Sequence, residues 1–479
     1  MAFTQKVREL DESRNLNTSP WTVSLKGDSN DIAFMAFCDS SNANTSDLLI
    51  RFNSDSGSNY NVNNMYGNGT ARSQVDLTGQ TACRIDRFTK MNGDRHSLCI
   101  GVIRGDSSQN RTLTSIHSSG DPRIYQDFSE WTNNVDELTS LEFSNTVSAS
   151  YKWHIVVWEV PKLNNNDNWE LVDTLSWSAS ATEQSFTGLT GDTDLFYKIL
   201  WDSDIHHQLN IEINNDATAG IYTHQQLKNS GTAFVSNNST QSKIRSLNNG
   251  LTTINAETGD ERTSFGFSGE GNGDPQTISA HWYANTVTEV TSLYCTPGTS
   301  VTATAKLFKA KYPASSVPDI FDLPFKKVDS FSVNTADFTA GQSFTGLDGD
   351  NVILYRLEFK GLLNPQIQYR TNGDSGSSDY ASQKLQGQGT GESANYVSSK
   401  SHIDLSQSGG GKQAYAVSYI YPQSGEYRPA LTYSMNTEDR ITLFAGWRLD
   451  SVTEITSIEV LANTSGTITG TFTLSEIRL

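Results

Sequence analysis

"QSFTGLTGD" (Gln184–Asp192) and "QSFTGLDGD" (Gln342–Asp350) differ at one position and lie far apart in a chain of 479 residues. A stretch written twice marks either a duplicated site or a duplicated domain, and repeats of this kind fix the architecture before anything else. A third, degenerate version, "SLKGDSND" (Ser24–Asp31), keeps Leu25, Gly27 and Asp28. Further on, each copy carries a loop with early Asn and Asp: "NSDSGSNY" from Asn53, "NNDATAGIY" from Asn214 and "NGDSGSSDY" from Asn372. These loops end at Tyr60, Tyr222 and Tyr380, and a Gly-Thr pair begins nine residues later, at Gly69, Gly231 and Gly389. An Arg follows an acidic turn in each copy: Arg95, Arg262 and Arg428. Last, a Trp (Trp131, Trp282, Trp447) precedes "VDELTSL", "VTEVTSL" or "VTEITSI", which begin at Val135, Val287 and Val452.

Several markers in one order make three tandem domains of roughly 150 residues, an ordinary domain size. The expected boundaries are an N-terminal arm over 1–15 and repeats over 16–161, 162–313 and 326–479. A proline-rich linker at 314–325 separates the last two, since prolines cannot join a ladder. Strand alternation dominates. Ile468, Phe472 and Leu474 share one face of the last segment, with Thr467, Thr469, Thr471 and Thr473 on the other. Ile441, Leu443, Ala445 and Trp447 also share a face, and "WHIVVWEV" (Trp153–Val160) is apolar on both, as for a strand covered by a neighbouring domain. Turns are NG, GD, SG and GT pairs. The fold expected is all-β: three jelly-roll-like sandwiches, with an immunoglobulin-like sandwich as the rival. One helical spacing occurs, at Phe3, Val7 and Leu10 with Thr4 as cap, which reads as a frayed terminus or a docking arm. The residues kept across copies specify backbone shape, so the quoted stretch reads as a fold signature.

Composition narrows the function. Hydrophobic residues make up 35% and charged residues 18%, with a net charge of −18. No Lys/Arg cluster offers the basic face that nucleic acid requires, so nucleic acid is not an expected partner. No apolar run reaches a membrane span, and the charged N-terminus predicts no signal peptide. Cys38, Cys83, Cys99 and Cys295 have no CxxC spacing and read as reduced core thiols.

Candidate chemistry is sparse. Asp202, Asp204 and His206 alternate on one strand face and offer carboxylate and imidazole ligands, against the reading of a wet strand face. The Asn/Asp loops resemble calcium loops in composition but lack the EF-hand Glu, so Asx-turns are the reading. Tyr60, Tyr66, Tyr222, Tyr380 and Tyr396 sit in polar segments and read as packing plugs or, alternatively, as sugar-stacking rings. HExxH, GxSxG, Walker and GxGxxG patterns do not occur, and no acidic residue stands out as half of a glycosidase pair. No catalytic residue, cofactor or metal is therefore expected.

In its closing pattern, "VTEVTSLYC" followed by "VTATAKLFKAK" and "VTEITSIEVL" followed by "TITGTFTLSEIRL", the chain resembles tailed-phage virion proteins. The GxxGD strand starts carry the same resemblance. It implies a non-enzymatic structural virion protein, a capsid decoration or surface projection, working through contacts with the major capsid or other virion proteins. It also implies assembly in the host cytoplasm and a homo-oligomer, such as a trimer, built from sandwiches in a row as a rod or plate. The alternatives are a carbohydrate- or receptor-binding adhesin of the tail-fibre kind, which would take host surface glycans, and a glycan-cleaving virion enzyme.

Overall fold

Strand alternation becomes six antiparallel sheets in the computed structural model of the chain. It describes residues 8–27, 30–39, 46–85, 96–104, 110–119, 123–133, 136–161, 169–203, 208–229, 234–241, 243–246, 250–258, 262–268, 277–286, 288–311, 321, 323–388, 391–408, 410–424, 428–436, 440–449 and 453–478. In the first copy an eight-stranded sheet runs β1 (Arg8–Arg14), β12 (Tyr151–Pro161), β3 (Asn30–Asp39), β8 (Ser97–Arg104), β9 (Arg111–Ser119), β10 (Arg123–Trp131), β5 (Tyr60–Asn68), β6 (Ala71–Gln80). Facing it is a four-stranded sheet, β2 (Trp21–Ser24), β11 (Ser140–Asn145), β4 (Leu48–Phe52), β7 (Cys83–Ile85). Strands 13–24 and 25–36 of the chain repeat both orders.

The jelly roll lies inside this larger frame. Numbering β2 to β7, β10 and β11 as its eight strands gives the sets 1-8-3-6 and 2-7-4-5, the two interleaved sheets of a double Greek key. A hairpin, β8–β9, is wedged between β3 and β10, and β12 with β1 extends the far edge. Among the described residues each copy thus has twelve strands, four more than the eight of a jelly roll. Val23, Ile50, Phe143 and Trp153 belong to the interior of the first sandwich, and Phe344, Leu357, Ile458 and Phe472 to that of the third.

The helical spacing near the N-terminus does not produce a helix where it is described. Arg8–Arg14 is a strand in register with β12, from Arg8↔Val157 to Arg14↔Tyr151, and Leu10 enters the first core. Phe3, Thr4 and Val7 lie outside the described residues. Tertiary pairing outweighs a three-residue periodicity. The corresponding edges, β13 (Trp169–Ser180) and β25 (Lys326–Thr335), carry a bulge at Val172 and Val328. Both valines are exposed, and the Asp after each (Asp173, Asp329) accepts the next backbone N–H at 2.7 Å. Bulges and charge blunt an edge against further strand pairing.

The three sandwiches do not stand in a row. The outer faces of the large sheets merge into one core that joins Met35, Ile100 and Trp158 of the first copy, Trp169, Phe265 and Trp282 of the second, and Leu385, Tyr433 and Trp447 of the third. Phe37 stacks on Tyr421 at 4.0 Å and Phe265 on Tyr433 at 4.9 Å. Strands β5, β17 (Tyr222–Asn229) and β29 (Tyr380–Gln388) touch one another in all three pairings, which places a pseudo-threefold axis among them. Met65, Leu227 and Leu385, each five residues beyond its loop tyrosine, are fully buried in this shared core. Polar contacts cross it too: Trp447 Nε1 donates to the His96 carbonyl (3.0 Å), His154 Nδ1 meets the Tyr421 hydroxyl (3.1 Å), and the Gln383 amide bonds both Gly69 backbone groups (3.0 Å each). "WHIVVWEV" behaves as its two apolar faces imply. Trp153, Ile155 and Val157 face their own sandwich, while Val156, Trp158 and Val160 face the shared core. Of the linker, residues 321 and 323–325 are described; Phe321 and Leu323 are buried in that core, and Phe325 packs against it.

Candidate functional site

At one end of each sandwich the Asn loop and the Thr-Ser motif are two halves of one latch. Asn53, Asn214 and Asn372 adopt φ near +55°, a left-handed conformation that Asn tolerates. Each then turns its amide onto the motif. The Nδ2 groups donate to the carbonyls of Glu137, Glu289 and Glu454 at 2.7 Å in every copy. The Oδ1 atoms accept the N–H groups of Thr139, Thr291 and Thr456 at 2.8 Å, and those of the following Ser140, Ser292 and Ser457 at 3.1–3.2 Å. The loop tyrosines complete the corner. Their hydroxyls accept the N–H of the residue just before the Asn, from Phe52, Ile213 and Thr371 at 3.0, 2.8 and 3.0 Å.

The opening stretch joins the same latch. Phe186 and Phe344 pair with Leu293 and Ile458, next to the Thr-Ser residues. Leu25, Leu189 and Leu347 donate their N–H to the carbonyls of Thr139, Thr291 and Thr456 at 2.8–3.0 Å, so "SLKGD" is a true third copy shortened by one residue. The glycine of GLxGD is needed for space: a Cβ on Gly349 would sit 3.1 Å from the backbone N and O of Ile455, and one on Gly191 2.9 Å from Val290. The stretch is a fold signature, as its composition implied.

Two alignments are corrected by the ladders. Trp131 pairs with Tyr60, but the residues opposite Tyr222 and Tyr380 are Tyr283 and Arg448. Trp282 and Trp447 are therefore one residue out of register with Trp131 and face the shared core, whereas Trp131 faces its own sandwich. Likewise the first-copy counterpart of Arg262 and Arg428 is Arg111, opposite Trp131; Arg95 lies outside the described residues. These three guanidiniums are buried and grip the carbonyl before the motif's Glu: Arg111 that of Asp136, Arg262 that of Thr288, Arg428 that of Thr453.

The loop carboxylates are engaged in the same way. Asp55 accepts Trp131 Nε1, Asp216 accepts the Tyr283 hydroxyl (both 2.8 Å), and Asp374 accepts Arg448 Nη2 (3.3 Å). Each also accepts a backbone N–H two residues on, from Gly57, Thr218 and Gly376, which makes Asx-turns. The Thr218 hydrogen bond holds the Asp216 carboxyl below the usual range, against desolvation and with help from Tyr283. Burial next to that carboxylate pushes the Tyr283 phenol up to about 12. Among the described residues no group of three His, Cys, Asp or Glu side chains is placed to hold a metal. Of the strand-face trio, Asp202 is the next-to-last residue of β15 (Phe196–Ser203), while Asp204 and His206 lie outside the described residues. Tyr60, Tyr222 and Tyr380 are fully buried and unavailable for stacking on sugars. Tyr66 is half-buried on Tyr125 under Arg123, and Tyr396 is half-buried against the shared core. All four cysteines are buried and unpaired.

In the second copy Tyr283 stands where the first has Trp131, and it lines an open polar pocket of about 640 Å3 together with Asn214, Asp216, Asn285 and Glu289. Nothing in the spacing of the sequence marks this pocket.

No protein-family model and no curated protein matches the chain. Among solved structures, fructofuranosidase from Schwanniomyces occidentalis aligns over 87% of this chain and 96% of its own at 8% identity and a TM-score of 0.18. The C2A and C2B domains of Extended-Synaptotagmin 2, calcium bound, align over 60% and 98% at 6% identity and a TM-score of 0.13. OmpTdeltaL8, an outer membrane protein of Vibrio cholerae, aligns over 86% and 99% at 8% identity and a TM-score of 0.10. Likeness at this level carries no argument about fold or function, and it lends no support to the resemblance to virion proteins.

Proposed function

We propose that the chain is a non-enzymatic structural protein of a virus particle, a capsid decoration or surface projection that works through protein–protein contacts. One observation carries this reading: the Asn, the Tyr and the Thr-Ser pair kept across the three copies all hold the loop end of their own sandwich. Duplication has thus preserved shape. The shared core supports the same reading, because it gives one chain the three equivalent lobes that a homotrimer would otherwise provide. Its partners are then the major capsid protein or another virion component, met at three related surfaces. Four buried thiols without disulfides suit a protein made in a host cytoplasm and exposed later. The test is peptide mass spectrometry on density-purified, virus-sized particles, with copy number set against the major shell protein. Many copies in simple ratio to the shell are expected for a decoration, and few for a tail or vertex part; absence from the particles overturns the reading.

A second reading, a glycan-binding adhesin, is favoured by the polar pocket beside Asp216, Tyr283 and Glu289. Glycan-array binding that Asp216→Ala abolishes would move it to first place.

A further inference from the structure

We propose that the second sandwich contains an acid-sensitive latch, the stacked pair His224–His281, which releases the strand Ile244–Ser246 from the large sheet when the pH falls below the ordinary histidine range. The two imidazoles lie face to face, centroids 4.4 Å apart and planes 13° from parallel, and both are buried. They project from β17 and β22 (Thr277–Tyr283) into the sandwich, as cross-strand partners two residues from Tyr222 and Tyr283. One hydrogen bond of the pair requires a neutral ring, with Nε2 of His281 unprotonated. The backbone N–H of Arg245, in β19 (Ile244–Ser246), donates to His281 Nε2 at 3.2 Å, and the Gln241 amide of β18 (Phe234–Gln241) meets His224 Nδ1 at 3.3 Å. The other nitrogen of His281 faces the Ser264 hydroxyl of β21 (Arg262–Ser268) at 3.3 Å.

A proton on His281 Nε2 would set N–H against N–H and break this hydrogen bond between the large sheet and β19, a three-residue edge strand paired with β16 (Leu209–Ile213) and packed through Ile244 into the sandwich core. It would also place a cation against a second imidazole. Among the described residues, the charged or titratable groups that His281 feels are His224 and Arg245, neither of which offers negative charge, and burial and both neighbours lower its affinity for a proton. The other described histidines are placed differently: His96 lies beside Asp39, His117 beside Asp127, His154 beside Glu9 and His402 beside Asp404. The positions of the pair are Val62 and Ser129 in the first copy and Ser382 and Gly446 in the third, so the latch belongs to the second sandwich. The sign follows from linkage. A histidine whose folded affinity for protons is depressed stabilises the fold fully above the ordinary value near 6.5, and that contribution is lost as the pH falls below it.

The experiment is amide hydrogen exchange on the full chain at about pH 7.5 and pH 5.0, corrected for the intrinsic rate. At the lower pH, exchange across Ile244–Ser246 is expected to rise about tenfold or more, the effect of one unit of linked protonation. The matching strands Cys83–Ile85 and Ile403–Ser406 are expected to stay unchanged. No rise at Ile244–Ser246, or an equal rise in all three strands, overturns the proposal. His224→Val with His281→Ser, the residues of the first copy, should remove the pH response, and a variant that keeps it contradicts the latch. Exchange of the imidazole C2 protons in the unmodified chain gives a reading that needs no variant. It should place His281 below the ordinary midpoint, and an ordinary midpoint would refute the latch.

Discussion

At the scale of the residue, the asparagine of each loop ties two distant segments of its sandwich together. The Asn372 side chain makes three hydrogen bonds to backbone groups of the Thr-Ser motif, and the residue holds a left-handed backbone conformation. At ~1 kcal/mol for each bond, Asn372→Ala should cost about 2–3 kcal/mol. Hydrogen exchange is the direct readout: the amides of Thr456 and Ser457 should lose protection, and unchanged protection would mean that the ladder alone holds them. The two glycines of GLxGD separate two causes. Gly349 has no room for a methyl group, whereas Gly346 has open space but φ +70°. Gly349→Ala should therefore cost about 1–3 kcal/mol through overpacking, and Gly346→Ala nearer 1 kcal/mol through backbone strain. Thermal unfolding of the two variants checks the order.

At the scale of the element, most of the sheet was legible. Alternation in "RITLFAGW" put Ile441, Leu443, Ala445 and Trp447 on one face, and that face is buried in the shared core. What failed was register. Trp131 stands one residue closer to its Val-x-Glu motif than Trp282 and Trp447 do, and a shift of one residue in a strand exchanges the two faces. Matching residues by identity hid a parity that spacing displays. Arg111 was missed because residues were matched by identity: its distance to the motif is within one residue of those of Arg262 and Arg428, while that of Arg95 is far longer. The helical spacing at the N-terminus misled because an edge strand needs only a partner, and β12 supplies one. The edges make their own prediction. Deleting Val328 removes the bulge from β25 and leaves a straight, regular edge. Light scattering should then show association that grows with concentration, and a variant that stays monodisperse would mean that the bulge does not guard the edge.

At the scale of the whole molecule, the arrangement of the copies was the part least legible in sequence. Apolar residues on both faces of "WHIVVWEV" announced a neighbour, but which faces meet depends on contacts between residues hundreds of positions apart, such as Phe37 with Tyr421. Leu385→Asp would bury an unpaired charge where the three lobes meet, at a cost of several kcal/mol. Calorimetry should then resolve the loss of the shared core from the melting of the individual sandwiches, and one unchanged transition would place the stability elsewhere. The central claim is that one chain folds as a single three-lobed body rather than as a row of domains. Small-angle X-ray scattering tests it most directly. A compact chain of 479 residues has a radius of gyration of about 23 Å, which is the value predicted here. A value of about 35 Å, expected for three such domains in line, would contradict the shared core and everything built upon it.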